Sequence, residues 1–154
     1  MKQYESGQIR NVALVGHSSC GKTLLAESML FTAGVTTRMG KIEDGNTVSD
    51  YDKEEINRKM SIGTSLIPIE WKNNKFNILD APGYFDFVGE TNAALAVSEG
   101  AIIVLDASSG IEVGTEKVWK YTSDHKIARF IFLNKMDKEN IKYDKLFDEL
   151  RESL

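Results

Sequence analysis

Cysteine is almost absent: Cys20 stands alone in 154 residues, which excludes an intrachain disulfide and a cysteine-built zinc site. That scarcity fits a reducing compartment, and the cytoplasm is expected. An excess of positive charge is also lacking. Nineteen Lys and Arg face 23 Asp and Glu, for a formal net charge of −4, so no overall basic field draws the chain onto nucleic acid or an anionic membrane. Sequence-specific DNA binding is not expected. Long apolar runs are missing too: stretches such as residues 101–105 fall far short of a membrane span, and the polar start MKQYESGQIR lacks the core of a signal peptide. No internal repeat or low-complexity tract interrupts the chain. What remains, 42% apolar and 27% charged residues, suits one compact domain with a buried core, expected to be monomeric.

Short apolar runs recur at residues 11–15, 66–71, 76–79, 101–105 and 130–133, several bounded by Asp, Gly or Asn, and read as buried strands. Residues 24–31, 92–97, 113–121 and 143–154 carry helix formers or apolar positions at three-to-four spacing, which predicts helices with one face on a sheet. The alternation predicts an α/β fold with a mostly parallel sheet, helices on both faces, and ligand bound beyond the carboxyl ends of the strands. One antiparallel strand is expected. Runs 66–71 and 76–79 are joined by Lys72-Asn73-Asn74-Lys75, whose asparagines tolerate the left-handed backbone of a tight turn. Residues 34–63 break the series, being polar, glycine-containing and acidic around 50–55. A connection of that length is read as a functional loop.

Gly16-His17-Ser18-Ser19-Cys20-Gly21-Lys22-Thr23 matches G-x-x-x-x-G-K-[ST] between a strand and a helix. Backbone N–H groups of such a loop can wrap a terminal phosphate, with the helix dipole adding to them. Lys22 would reach the outer phosphates and the Thr23 hydroxyl would ligate magnesium. The bland alternative is a glycine turn between packed elements. Asp80-Ala81-Pro82-Gly83 follows the third strand, where a carboxylate can hold magnesium through water and the Gly83 N–H can face the γ-phosphate. The same tetrapeptide also makes a good β-turn. Asn134-Lys135-Met136-Asp137 ends the last strand. Asp137 can accept from the ring N–H and exocyclic amine of guanine, a donor pair adenine lacks, which selects GTP over ATP. Asn134 would brace the pocket and the Lys135 stem would lie over the base, although the motif could also cap a following helix.

The three motifs in this order resemble those of translational GTPases, and within them the elongation factor G family. Ile9-Arg10-Asn11, Gly16-His17, Glu43-Asp44-Gly45 with Asp50, and Asn134-Lys135-Met136-Asp137-Lys138 carry the likeness along the whole chain. The resemblance implies a P-loop GTPase fold, GTP/GDP and Mg2+ as ligands, and hydrolysis to GDP and phosphate that is slow without an activator. It implies the ribosome as partner of the full-length protein. Lys22, Gly83 and Tyr84 would carry catalysis. Arg58-Lys59-Met60-Ser61-Ile62 stands where the family has R-G-I-T-I, so Ser61 would be the switch hydroxyl on magnesium, with a solvated loop residue as the alternative.

Three departures from the family pattern stand out. Ser19 occupies a position that is commonly acidic, Lys59 replaces a glycine, and Tyr84 replaces the histidine that positions the attacking water. Tyr84 is either a water-orienting group or packing against Phe85 or Phe87. Tyr84 and the altered stretch at Lys59 look similar to factor-G-like paralogues. The family also has a further strand backing the base, after an inserted subdomain, and neither is found here. Residues 1–154 are therefore expected to be a GTP-binding domain cut before that insertion, with five of six strands. A GTP-binding switch with little hydrolysis and the G domain of a ribosomal protection protein stay open as alternatives.

Overall fold

The computed structural model describes residues 2–139 and 141–154. After a short 3-10 turn the chain runs β1 (Ile9–Val15), α1 (Lys22–Thr32), α2 (Lys53–Arg58), β2 (Ser65–Trp71), β3 (Asn74–Asp80), α3 (Val88–Ala96), β4 (Gly100–Asp106), α4 (Val113–Asp124), β5 (Ala128–Asn134) and α5 (Tyr143–Ser153). The five strands form one sheet in the order β2-β3-β1-β4-β5. Only β2 and β3 pair antiparallel. This is the expected α/β arrangement.

Side chains alternate across β1 and so build two cores. Leu14 faces one way, joining Ile67, Ile78 and Val104 beneath Ala26 and Leu30 of α1. Ala13 and Val15 face the other, joining Ile103 with Ala94 and Leu95 of α3 and Val118 of α4. A third cluster seats Leu146 and Leu150 of α5, one turn apart, on Leu105. Burial on both faces is why β1 and β4 read as continuous apolar runs, whereas β2 and β5, also read as buried strands, lie at the sheet edges and alternate in exposure, with Leu66 and Phe130 in the open.

The parallel register places the functional segments at one end of the sheet. Leu14 pairs with Asp80, Val15 with Ile103 and Asp106 with Asn134. The loop after β1, the acid ending β3 and the motif ending β5 therefore emerge on a common edge. Strand order reverses at β1, so this edge is also where an open α/β sheet leaves a crevice.

Two details differ from the sequence reading. The hairpin has a two-residue turn, Lys72-Asn73, with φ of 46° and 63°, because Trp71 pairs with Asn74 and draws Asn74 and Lys75 into the strand. That register keeps Ile67 and Ile69 on the buried face, which a one-residue slip would turn outward. The long 34–63 connection also contains a helix, α2. Asp52 caps it, accepting from Glu54 N–H at 2.8 Å, while Asp52 N–H donates to Glu55 Oε2 at 3.2 Å.

Candidate functional site

The loop after β1 is packed too tightly for side chains at its glycines. A Cβ on Gly16, whose φ is 141°, would strike the Val104 carbonyl, and one on Gly21, φ 99°, would strike the Asn134 amide nitrogen. Lys22 is buried, and its ammonium donates to the His17 carbonyl at 2.8 Å and the Gly16 carbonyl at 3.3 Å. Gly83 lies directly over it: a Cβ there would sit 2.5 Å from Lys22 Nζ and 2.7 Å from the His17 carbonyl oxygen. The D-x-P-G turn and the phosphate loop are thus in contact through the lysine. Cys20 contributes its carbonyl, while its thiol is buried and pushed up in pKa by that burial. His17 Nε2 lies 3.5 Å from Glu112 beside the loop.

Thr23, Asp80 and Ser61 converge beneath Lys22. Thr23 Oγ1 donates to Asp80 Oδ2 at 2.9 Å and lies 3.3 Å from Ser61 Oγ, which donates to Asp50 Oδ1 at 2.7 Å. Each hydroxyl has one proton, and each proton is committed to a carboxylate. The 3.3 Å approach therefore brings two lone pairs together, an arrangement that suits a cation between or beside them. Asp80 is 1% exposed and its Oδ1 has no partner. Burial pushes this carboxyl up to about 6, with the Thr23 hydroxyl, Lys22 and the Ser49 hydroxyl partly opposing the rise; Ser49 Oγ is near enough to act on the charge, although neither it nor Oδ1 completes a hydrogen bond. Asp50 is likewise raised by burial. A buried, incompletely satisfied carboxylate with two hydroxyls beside a phosphate-binding loop is a fitting donor set for magnesium, a hard cation that takes few protein ligands and completes its shell with phosphate and water. Among the described residues no three His, Cys, Asp or Glu side chains gather as an alternative metal site.

The base motif is tied to the same loop. Asn134 Nδ2 donates to the Cys20 carbonyl at 2.8 Å, and Lys135 Nζ donates to the Ser19 carbonyl at 2.6 Å and to Asp106 Oδ2 at 2.8 Å. Asp137 is exposed and is not drawn against these groups. Ser18, Lys22, Thr23, Ser61, Gly83 and Lys135 line a cavity of about 430 Å³, which Tyr84 flanks. Tyr84 is 40% exposed, and its phenol makes no hydrogen bond among the described residues. The aromatic packing at this corner belongs to Phe85, which lies 3.9 Å from Lys117 Nζ and edge-on to His17.

Sequence reasoning passed over Asp106. It is buried at the end of β4, where Ser108 N–H and Oγ donate to one oxygen and Lys135 and Lys138 to the other. Burial alone would raise it, but these donors hold the carboxyl well below the usual range. Its one signal was an acid closing the apolar run 101–105. The roles of Glu27 and Glu55 were also missed. Buried Glu27 accepts from Gly40 and Val48 N–H, holding the long connection to α1.

The family described as elongation factor Tu GTP binding domain matches residues 7–154. The chain is 39% identical over 154 residues to ribosome-releasing factor 2, mitochondrial, of Drosophila grimshawi, covering 100% of this chain and 21% of that protein. It is 41% identical to the protein of the same name from Meyerozyma guilliermondii, covering 100% of this chain and 18% of the relative. A crystal structure of a Thermus thermophilus protein superposes with a TM-score of 0.91 at 36% identity, over 96% of this chain and 22% of that one. The chain thus spans about a fifth of the length of these relatives. Among the described residues no helix is long and apolar enough to cross a membrane.

Proposed function

The chain belongs to the elongation factor Tu GTP binding domain family, and on that premise we propose that it is the GTPase domain of a longer translation factor of the elongation factor G type. In this reading it binds GTP and GDP with magnesium and hydrolyses GTP to GDP and phosphate on the ribosome. The meeting of Thr23, Ser61 and the buried Asp80 carboxylate, whose second oxygen lacks a partner, with Lys22 and Gly83 adjoining, carries the reading.

Water attacks the γ-phosphorus, the bond to the β–γ bridging oxygen breaks, and GDP and phosphate leave, with no covalent intermediate on the protein. Lys22 exchanges the loop carbonyls of Gly16 and His17 for phosphate oxygens, and the N–H groups of residues 16–23 and of Gly83 donate to the rest. Thr23, Ser61 and Asp80 would hold magnesium, which when bound would neutralise charge developing on the phosphates. Tyr84, with its phenol uncommitted beside the cavity, orients the attacking water. Asp137 accepts from guanine, while Asn134 and Lys135 keep the base pocket in register with the phosphate loop.

The ribosome as partner is supported by the relatives named ribosome-releasing factor 2. Their names add "mitochondrial", so the organelle matrix stands beside the cytoplasm as the compartment, and imaging of the tagged full-length protein decides between them. We also infer that the domain gains a last strand after an inserted subdomain. Phe130 and Phe132 lie exposed on β5 at the sheet edge, and a groove of about 500 Å³ beside Met29, Trp71 and Phe130 opens on the same face.

The test is fluorescent-nucleotide binding, GDP and GTP against ATP with magnesium, followed by phosphate release with and without ribosomes. Guanine-selective binding with ribosome-stimulated release is expected. Guanine binding without stimulated release favours the switch reading, for which Tyr84 in place of the family's histidine speaks. Absence of guanine selectivity overturns the proposal.

A further inference from the structure

Glu55 lies in α2, is 5% exposed, and pairs with no Lys or Arg among the described residues. Its carboxylate is satisfied by backbone alone. Oε1 accepts from Ile62 N–H at 2.9 Å and Gly63 N–H at 3.1 Å, and Oε2 accepts from Asp52 N–H at 3.2 Å. A buried carboxylate with three N–H donors forms charge-assisted bonds roughly twice as strong as neutral ones. We propose that Glu55 is a positioning residue for the magnesium site, holding the backbone that follows Ser61 so that the Ser61 hydroxyl stands against Thr23.

Main-chain bonds hold the residues before Ser61, where Met60 N–H donates to the Glu55 carbonyl at 3.1 Å, and the Glu55 carboxylate supplies the hold on the peptides that follow it. Two consecutive N–H groups converging on one oxygen fix both the place and the tilt of the peptide that joins Ser61 to Ile62. Ser61 Oγ then needs only its bond to Asp50 to settle its rotamer 3.3 Å from Thr23 Oγ1. All the donors to Glu55 lie within residues 52–63, so this acid does not tie the loop to the sheet; the link to α1 is made by Glu27. Glu55 keeps α2 and Ser61 as one body, and a nucleotide-driven movement of the loop would carry the hydroxyl with the helix. Glu54, one residue away, is exposed, pairs with Arg58 at 3.0 Å and touches none of this.

The inference rests on the proposed magnesium role of Ser61, and its test separates the two. In the full-length protein, magnesium is titrated into complexes with a fluorescent non-hydrolysable GTP analogue and, separately, with fluorescent GDP. Glu55→Ala is expected to raise the magnesium needed by the analogue complex about 10–100-fold, the usual cost of losing a group that orients a metal ligand, with little change for GDP. Ser61→Ala should do the same, and the double variant should be no worse than either single one. Glu54→Ala should be silent, and Glu55→Gln, which keeps an acceptor for Ile62 and Gly63, should recover most of the loss even if Glu55→Ala folds poorly. Additive losses in the double variant, equal losses for GDP, or a silent Glu55→Gln together with a silent Glu55→Ala overturn the positioning role. A silent Ser61→Ala overturns the magnesium reading of Ser61 and this inference with it, whereas failure of the wild type to bind either nucleotide overturns the proposed function itself.

Discussion

Replacing Asp80 by Asn should stabilise the nucleotide-free protein near neutral pH while disabling the proposed magnesium site. The carboxyl ordinarily titrates at 3.8 and is pushed up to about 6 in the fold, chiefly by burial. Between those values the folded state holds a proton that the unfolded chain has released, so stability falls as pH rises through the window. The penalty is absent below 3.8 and complete above about 6. At 1.36 kcal/mol per pH unit, a rise of about two units corresponds to about 3 kcal/mol at pH 7.5. Asn carries no charge and escapes that penalty, and its carbonyl can still accept from Thr23. Its NH2 then occupies the place of the unpartnered Oδ1, costing about 1–3 kcal/mol, so the net gain lies between about zero and 2 kcal/mol. For a domain of this size that is an increase of up to roughly 8 °C in Tm. Circular-dichroism melts of EDTA-stripped protein from pH 4.5 to 8 should show the variant gaining on the wild type as pH rises, and magnesium with GDP should reverse the order at pH 7.5. A difference in Tm that is flat with pH would refute the assignment of a strained, ionised Asp80.

Lys22→Ala should weaken GDP and GTP binding by about 3–5 kcal/mol at matched magnesium, since buried phosphate charge loses its cation, and fluorescent-nucleotide titration reads this directly. Asp137→Asn should lower GTP affinity and raise that of a xanthine nucleotide, whose ring carbonyl meets the Asn amide; competition between the two nucleotides measures the switch. Lys59→Gly should raise stability by about 1 kcal/mol in denaturant melts, because Lys59 ends α2 in a left-handed backbone, φ 54° and ψ 42°. Tyr84→Phe should reduce ribosome-stimulated turnover on the order of tenfold with nucleotide affinity unchanged, as expected of a group that orients water without exchanging its proton.

The β-strands were legible because each is a short apolar run closed by a polar or turn residue, a pattern that burial on both faces imposes on β1 and β4, while the exposed Leu66, Phe130 and Phe132 made the edge strands read as buried too. The segments after β1 and β5 stood out in the sequence because each motif is contiguous, and the structure brings the two into contact through Asn134 and Lys135. Where a feature depended on partners distant in sequence, reading failed. Asp106 meets Lys135 and Lys138 only because β4 and β5 lie in register. Helix α2 was hidden by its length: six residues are too few for a hydrophobic period, and its one local signal was the capping pair Asp52 and Glu55. The hairpin turn was placed by residue preference on the asparagines. Facing of Ile67 and Ile69 toward the core instead sets the register, and Lys72 accepts an unfavourable φ of 46° as a result.

The three departures from the family pattern do not weigh equally. Lys59 adopts the left-handed backbone that a glycine there would take freely, so the exchange costs local strain and leaves the turn into Ser61 in place. Ser19 also has positive φ, 59°, and it is its carbonyl that receives Lys135, so the bridge between phosphate loop and base motif runs through main chain whatever side chain stands there. Tyr84 is different, because its side chain is free and the position adjoins Gly83 over the phosphate pocket. Two of these changes therefore leave the loop and its main-chain bridge in place, and under the proposed function the third would alter the chemistry offered to the attacking water. Binding and hydrolysis should separate experimentally along that line: Tyr84→His should change turnover on the ribosome without changing nucleotide affinity, and a faster enzyme would mean that this chain has slowed its hydrolysis at a single side chain.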